Sequence, residues 1–470
     1  SSTDNIRNTN QRRLSGNAGT SIQGIIDLNR SSLPQIDPLT SSLTSTFSSF
    51  TNENLLEALE YSINYLSDNK ENFNLTDQDL LAGIKSSVIA FLNSSESKGD
   101  DLLEVISNLP GIVFRNLIPV KVDSWGGNIP TWAKELSITL MESISEANIT
   151  ADKNELKKRA SKATTSTVLQ IINDSTIKSN GLLPTITPVD PSREVASQEM
   201  SFNGTASFMK FDTEKTRLLE FTAKGLADGF FANDSTPLSA ENIQVYSQVL
   251  GESTISGAVE YLSSLEGDNS LFTYAVTKAL STGLTLSAVY NSASTEEYRE
   301  LMLAEIAAES ISQAISSQII ISSIAQQNGL LLHRLAESAS FGSAMGAQMA
   351  SVLDKSWEFE DGWELYNRNN LAKATSKGSA YGAINAASQY IENDPTVEDT
   401  NDKTSRREIL DIASGSALGS LIGNTGLAVY YPTLLQPIIS QSAQGATTGG
   451  ITAKNLSLID KPKGVTEEFE

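Results

Sequence analysis

One five-residue pattern, Gly-Ser-Ala-x-Gly, occurs three times in the last third of the chain. The copies begin at Gly342, Gly378 and Gly415, so their starts lie 36 and 37 residues apart. A nearly constant interval of this size is typical of proteins that are built from stacked structural repeats. The chain must therefore form the same local structure several times, and this requirement restricts its fold more than any other feature.

Each copy of the pattern belongs to a row of small residues four positions apart. On an α-helix such residues lie on one face. A glycine inside a helix costs about 1 kcal/mol relative to alanine, so repeated glycine rows need a compensating gain. We predict that another helix or backbone segment approaches each bare face closely. The three rows are Gly342, Gly346 and Ala350; Gly378, Gly382 and Ala386; and Gly415, Gly419 and Gly423.

The interval between the copies indicates the size of the repeat. About 35 residues fit one long helix, a turn and a shorter second helix. Weaker rows around Gly229, Gly257, Gly283 and Gly449 extend the pattern in both directions. We therefore predict an all-α fold: a helical-repeat array, solenoid-like or bundled, whose helices carry faces of glycine and other small residues. Because only 7% of the residues are aromatic, the core is expected to consist mainly of small and aliphatic side chains.

Composition along the chain predicts five segments. The first is rich in Ser, Thr and Asn and indicates a flexible polar arm. A segment with three prolines, Pro184, Pro188 and Pro191, interrupts any helix and predicts a linker. The expected segments are the arm at 1–50, an N-terminal helical domain at 51–180, the linker at 181–205, the helical-repeat domain at 206–453 and a C-terminal tail at 454–470.

Residue types that carry catalysis are scarce in this chain. There is no cysteine and only one histidine, His333, which lies beside an apolar run. That position is typical of a histidine on a helix flank whose side chain is satisfied by a neighbour. Neither a phosphate-binding loop nor a His-Glu-x-x-His zinc motif occurs. We therefore expect a non-enzymatic protein without a bound cofactor.

The formal net charge of −22 restricts the partners of the chain. Binding to the phosphates of a nucleic acid requires a basic surface, so no nucleic-acid partner is expected. One acidic cluster could attract calcium, but it lacks the spacing of a calcium-binding loop, so any calcium there would be loosely bound. This cluster consists of Glu392, Asp394, Glu398, Asp399 and Asp402.

Two stretches without Asp, Glu, Lys or Arg, 310–332 and 412–439, are long enough to cross a bilayer. Glutamine, asparagine or proline residues interrupt both of them. We therefore expect buried helices in these stretches and no membrane span.

Four tryptophans bracket two turns. Trp125 and Trp132 flank a glycine-containing turn, and Trp357 and Trp363 flank an acidic one. Exposed aromatic side chains at turns could contact a partner, such as a sugar or a neighbouring subunit. The structural alternative is that these side chains fill gaps between the repeat helices.

These features together favour a structural subunit over an enzyme. A stack of helices leaves end surfaces that can meet further molecules, and this predicts a homo-oligomer or polymer such as a filament, sheath or surface layer. The polar arm would contribute to assembly or to cell-surface attachment. The chain starts at Ser1 without methionine, from which we expect a removed leader and a secreted or cell-surface location. The alternative is a helical-repeat binding module for a peptide, glycan or small ligand.

Overall fold

The computed structural model describes residues 17–173, 213–231, 239–264, 270–291, 297–325, 332–353, 363–393, 403–426, 433 and 435–459. Within these ranges the regular structure is entirely helical, which confirms the predicted all-α array. The chain divides into two compact units. The N-terminal unit comprises Ser1–Ser179 with Asp228–Ser235, and the C-terminal unit comprises Asn180–Ala227 with Thr236–Glu470. The predicted linker at 181–205 lies outside the described residues.

The N-terminal unit is built around α4, a helix whose side chains are buried on most of its faces. Its start is fixed by a capping box, because the Asp79 N–H donates to Thr76 Oγ1 and the Thr76 N–H donates to Asp79 Oδ2. The helices of this unit are α1 Asn17–Asn29, α2 Ile36–Ser48, α3 Asn52–Asp68, α4 Asp77–Ser97, α5 Leu102–Leu117, α6 Lys121–Ser124, α7 Ile129–Glu146 and α8 Lys153–Asn173, with a 3-10 turn at Arg30–Ser32.

The prediction of a flexible arm was wrong for residues 17–50. Helix α2 buries Leu39, Leu43 and Phe47 completely, and these residues lie four apart on one face. The polar residues between them do not prevent the helix, since the hydroxyls of Thr40 and Thr44 donate to backbone carbonyls one turn earlier at 2.7 Å. A sparse apolar row is therefore enough to fold a Ser/Thr-rich segment when other helices cover it.

The C-terminal unit contains longer helices. They are α9 Thr213–Phe231, whose last residues belong to the N-terminal unit, α10 Ala240–Leu262, α11 Ser270–Asn291, α12 Glu297–Ala325, α13 Leu332–Leu353, α14 Trp363–Asn393, α15 Lys403–Thr425 and α16 Leu435–Ile459. None of the helices in the described ranges is both long and apolar enough to span a bilayer.

Helices two apart in the chain pack together most extensively in this unit. Such pairs are α10 with α12, α11 with α13, α12 with α14, α13 with α15 and α14 with α16, whereas consecutive helices share smaller contacts. The array therefore has two layers, and successive helices alternate between them. Helices α9, α11, α13 and α15 follow one another in the first layer, and α10, α12, α14 and α16 in the second.

The repeat unit differs from the one predicted. The three Gly-Ser-Ala-x-Gly copies lie on three consecutive helices, α13, α14 and α15. One interval of 36 or 37 residues therefore holds a single helix and its connection, and not a helix pair. The prediction of two helices failed because it assumed shorter helices, whereas α14 alone has 31 residues.

Candidate functional site

The glycine rows of the C-terminal unit face the backbone of the helix two positions earlier. A Cβ at Gly342 would lie 2.7 Å from the Tyr274 carbonyl oxygen, and one at Gly346 would lie 2.5 Å from the Lys278 carbonyl oxygen, both on α11. These distances are shorter than real Cβ atoms show, so only glycine fits at either position. Ala350, the third member of this row, is fully buried.

The contacts advance by one helical turn at a time. Gly378 and Gly382 of α14 face the carbonyl oxygens of Glu309 and Gln313 on α12. Since both helices advance by four residues in the same direction, they run parallel. At each step a glycine Cα–H points at a carbonyl oxygen, which is the geometry of the weak Cα–H···O bonds found between closely packed helices.

Helix α15 extends the same pattern to three turns. Its row Gly415, Gly419 and Gly423 faces the carbonyl oxygens of His333, Glu337 and Phe341 on α13. On α16, Gly445 and Gly449 likewise face Lys373 and Lys377 of α14. His333 meets Gly415 mainly through its carbonyl oxygen, with its side-chain Cδ2 3.3 Å from where a Cβ at Gly415 would lie, although the side chain as a whole is exposed.

Helices α13 and α14 each have two sets of residues: glycines that contact the preceding helix of the layer, and residues whose carbonyl oxygens contact glycines of the following helix. We call the second set the receiving positions, and they lie a fixed number of residues before the glycines. On α13, Glu337 lies five residues before Gly342, and on α14, Lys373 lies five residues before Gly378. Five residues turn an α-helix by about 500°, or about 140° net, so the two faces point in nearly opposite directions. Each helix can therefore place its glycines against the preceding helix of its layer and its carbonyls against the following one.

On the last two helices, no described helix packs against the positions whose carbonyl oxygens would contact glycines of a following helix. Five residues before the glycines of α15 lie Leu410, Ser414 and Leu418, and five residues before those of α16 lie Ser440 and Gln444. We call these five residues the outer face. All five are exposed, with Leu410 at 64% and Leu418 at 42%. Ordered backbone and exposed leucines at the same register as the internal contacts make this surface the candidate site.

Helix α16, which carries two of the five outer-face residues, differs in charge from the whole chain. Residues 435–453 of α16 contain no Asp, Glu, Lys or Arg, although the chain carries a net charge of −22. Ile439 and Ile451 are exposed on the same helix. A second acidic molecule could therefore approach α16 with less electrostatic repulsion than at most other surfaces.

A buried amide links four helices of the array. Asn424 of α15 donates from Nδ2 to the Ala372 carbonyl oxygen at 3.2 Å and to Ser376 Oγ at 3.1 Å on α14. Its Oδ1 accepts from Thr375 Oγ1 at 3.1 Å and from Gln348 Nε2 of α13 at 3.3 Å. Ser442 of α16 completes the group, 3.4 Å from Asn424 Nδ2. Because all of these side chains are buried, the amide fixes the register of the helices more specifically than alanine contacts could.

Serine pairs connect helices within each layer. The hydroxyls of Ser340 and Ser416 lie 3.1 Å apart between α13 and α15, and those of Ser376 and Ser442 lie 2.7 Å apart between α14 and α16. All four side chains are buried. Small side chains on both surfaces allow the backbones to come close, while the hydroxyls remain hydrogen-bonded.

Three carboxyl groups between the helices have raised pKa values. Burial raises the pKa of Glu220 to about 7, while Arg217 and Lys278 act in the opposite direction. Burial also raises the pKa of Glu305 and of Glu337. These shifts follow from helix packing, because Glu220 and Glu337 are themselves residues whose carbonyls face a glycine.

The described residues contain no group of three or more His, Cys, Asp or Glu side chains able to hold a metal ion. In the acidic cluster, residues 394–402 and the side chain of Glu392 lie outside the described residues. Loose calcium binding by this cluster therefore stays a prediction.

The first tryptophan turn is packed against the N-terminal unit. Trp132 is only 5% exposed, and its ring centroid lies 5.4 Å from that of Trp125. Lys70 Nζ lies 5.5 Å from the centroid of the Trp125 ring. This arrangement leaves little indole surface of Trp132 for a partner. Trp357 and the side chain of Trp363 lie outside the described residues, so a partner contact there stays a prediction.

Comparison with known proteins gives no relative of this chain: no family model, no curated protein and no solved structure matches it.

Proposed function

We propose that this protein is a non-enzymatic structural subunit that assembles with copies of itself outside the cell, as a filament, a sheath or a surface layer attached to the cell. The observation that carries the proposal is the outer face. Its residues are at the same register, five residues before the glycines, as the residues that contact glycines inside the array, yet they are exposed. A surface of that kind can bind another helix by the same backbone contact that holds the array together.

The interior of the array also supports a structural role. Its helices are held by backbone contacts at glycines and by buried hydroxyl and amide groups, as at Asn424. These groups contribute to a fixed register between helices. A fixed register at each step is what a repeating assembly needs, because errors in orientation accumulate along a polymer.

The alternative function, a binding module for a peptide, glycan or small ligand, has less support. It assigned the ligand contacts to the tryptophan turns, first of all to the one between Trp357 and Trp363, which lies outside the described side chains. In the other turn, Trp132 is buried against Trp125. A ligand that stacks on an aromatic side chain needs an exposed ring. Assembly therefore remains the function that the described surfaces favour.

The proposal is tested by the association state of the purified chain. We expect sedimentation velocity to show species larger than the monomer as the concentration rises, and negative-stain electron microscopy to show ordered polymers. The experiment is run with and without calcium, because the acidic cluster could influence association. A chain that stays monomeric at every concentration in both conditions would contradict the proposal. Fractionation of producing cells tests the proposed location, for which recovery from the medium or the cell surface is expected.

A further inference from the structure

Helix α1 carries a glycine whose helix face meets no neighbour among the described residues. A Cβ at Gly24 would have open space, with no atom within 4 Å. One turn later Leu28 is 84% exposed, and one turn earlier Thr20 is also exposed. These three residues form an uncharged row on one face of α1. Glycine inside a helix is unfavourable, and here no contact within the described structure offsets that cost.

The glycines of the C-terminal array are in the opposite situation. Each glycine of the rows on α13, α14 and α15 lies against a carbonyl oxygen of another helix. In the N-terminal unit, therefore, no described helix packs against the face of α1 that carries Gly24. On the outer face, no described glycine-containing helix packs against the exposed positions.

We infer that α1 of a second copy docks on the outer face, with the row Thr20, Gly24 and Leu28 lying along the row Leu410, Ser414 and Leu418 of α15. This inference rests on the proposed assembly and names the two surfaces that carry it. The contact joins different surfaces of two identical molecules. It is therefore head-to-tail, and repeating it builds an open polymer unless the rotation closes a ring.

The dimensions of the two rows agree. Thr20 to Leu28 and Leu410 to Leu418 each cover eight residues, about 12 Å along a helix. In the internal contact of α15 with α13, the three glycines also cover eight residues, from Gly415 to Gly423. Of the α1 row only Gly24 lacks a side chain, so the backbones can come closest at that turn, while Thr20 and Leu28 would pack against side chains of the outer face.

Charge and exposure favour the same pairing. Asp27 is the only charged residue of α1, and its carboxylate accepts a hydrogen bond from the Tyr65 hydroxyl at 2.8 Å. Neither row contains a charged residue. Docking would remove Leu28, Leu410 and Leu418 from water, and the burial of exposed leucines is a main source of association free energy.

Two single substitutions test the contact from its two sides. Gly24→Leu places a side chain where the second backbone must approach, and Leu418→Glu places a charge on the outer face. We expect each change to raise the protein concentration needed for half-maximal assembly by about tenfold or more, measured by sedimentation. The melting temperature of monomeric Gly24→Leu should equal or exceed that of the wild type, since a helical glycine with open space is replaced. The matched control is Gly111→Leu on α5, another helical glycine with room for a side chain, and it should assemble like the wild type.

Mixing the two variants gives the sharper result. Gly24→Leu retains an intact outer face, and Leu418→Glu retains an intact α1, so one productive contact can form between them. An equimolar mixture should therefore give heterodimers and stop there. Polymers in the mixture, or no association between the variants, would overturn the inference.

Failure of this inference can be separated from failure of the proposed function. If wild-type protein assembles and both variants assemble at the same concentration, α1 and the outer face are not the contact, although assembly itself stands. If the wild type remains monomeric in all conditions, the proposed function and this inference both fall.

Discussion

Replacing Gly419 with alanine is expected to lower the free energy of unfolding of the C-terminal unit by about 3 kcal/mol or more. A Cβ at this position would run into the Glu337 carbonyl oxygen and lie 2.9 Å from its carbonyl carbon. Backbone atoms cannot rotate away as a side chain can, so α13 and α15 would have to separate. Their separation would also weaken the neighbouring contacts at Gly415 and Gly423.

The control for this prediction is Gly450→Ala on α16. A Cβ at Gly450 would meet only the terminal methyl carbon of Ile384, at 3.2 Å, and that group can rotate. The substitution also gains up to about 1 kcal/mol of helix propensity. Urea unfolding followed by circular dichroism measures both variants. Equal midpoints for Gly419→Ala and Gly450→Ala would show that backbone contact at Gly419 is absent.

Removing the amide of Asn424 is the second large change. In Asn424→Ala, Gln348 Nε2 loses the acceptor at Asn424 and the Ala372 carbonyl loses a donor, both in a buried location, while the Thr375 hydroxyl keeps the Leu371 carbonyl oxygen at 2.7 Å. Several buried hydrogen bonds are lost at about 0.5–1.5 kcal/mol each, so the free energy of unfolding is expected to fall by about 2–4 kcal/mol.

The matched control replaces an exposed amide, Gln436 of α16, with alanine. Exposed substitutions of this kind usually change stability by less than about 0.5 kcal/mol. Differential scanning calorimetry of the two variants should therefore show a much lower unfolding temperature for Asn424→Ala only. If the two variants melt together, Asn424 does not hold the four helices in register.

The glycine rows could be recognised in the sequence because their signal is local. Gly378 and Gly382 lie one helical turn apart, and four-residue spacing is the property that places residues on one face of a helix. The partner of each face could not be predicted in the same way. Gly378 faces Glu309, and nothing in the spacing of the glycines indicates a helix two positions earlier.

Residues 17–50 show why a flexible arm was wrongly predicted from composition. Serine and threonine are common there, and such composition usually favours disorder. The fold depends instead on a few apolar residues at helical spacing, such as Ile22 and Ile26 of α1, which are fully buried. A helix covered by its neighbours needs only a narrow apolar stripe.

The buried amide and the outer face were not predictable from the sequence. Asn424 is one asparagine among small residues, and its partners Gln348 and Ser376 lie 76 and 48 residues away. The outer face is defined by a five-residue offset between glycines and receiving carbonyls. That offset becomes visible only when the carbonyl opposite each glycine, such as Glu337 opposite Gly419, is known.

Helices two apart in the chain lie in close, parallel contact, and engineered cysteines test this contact most directly. The chain contains no cysteine, so no native thiol competes with an introduced pair. The Ser340 and Ser416 hydroxyls lie 3.1 Å apart, a separation compatible with disulfide geometry. The control pair is Ser340 with Ser414, because Ser414 is exposed on the outer face of the same helix.

Mild oxidation of the native protein, followed by mass spectrometry of the peptides, is the measurement. The double variant Ser340→Cys and Ser416→Cys is predicted to form an intramolecular disulfide between α13 and α15. The pair Ser340→Cys and Ser414→Cys should form no intramolecular disulfide in the native protein. In urea the two pairs should cross-link to a similar extent, because the unfolded chain holds neither pair at a fixed distance. Equal cross-linking of the two pairs in the native protein, or none in either, would contradict the parallel contact on which the array and its outer face depend.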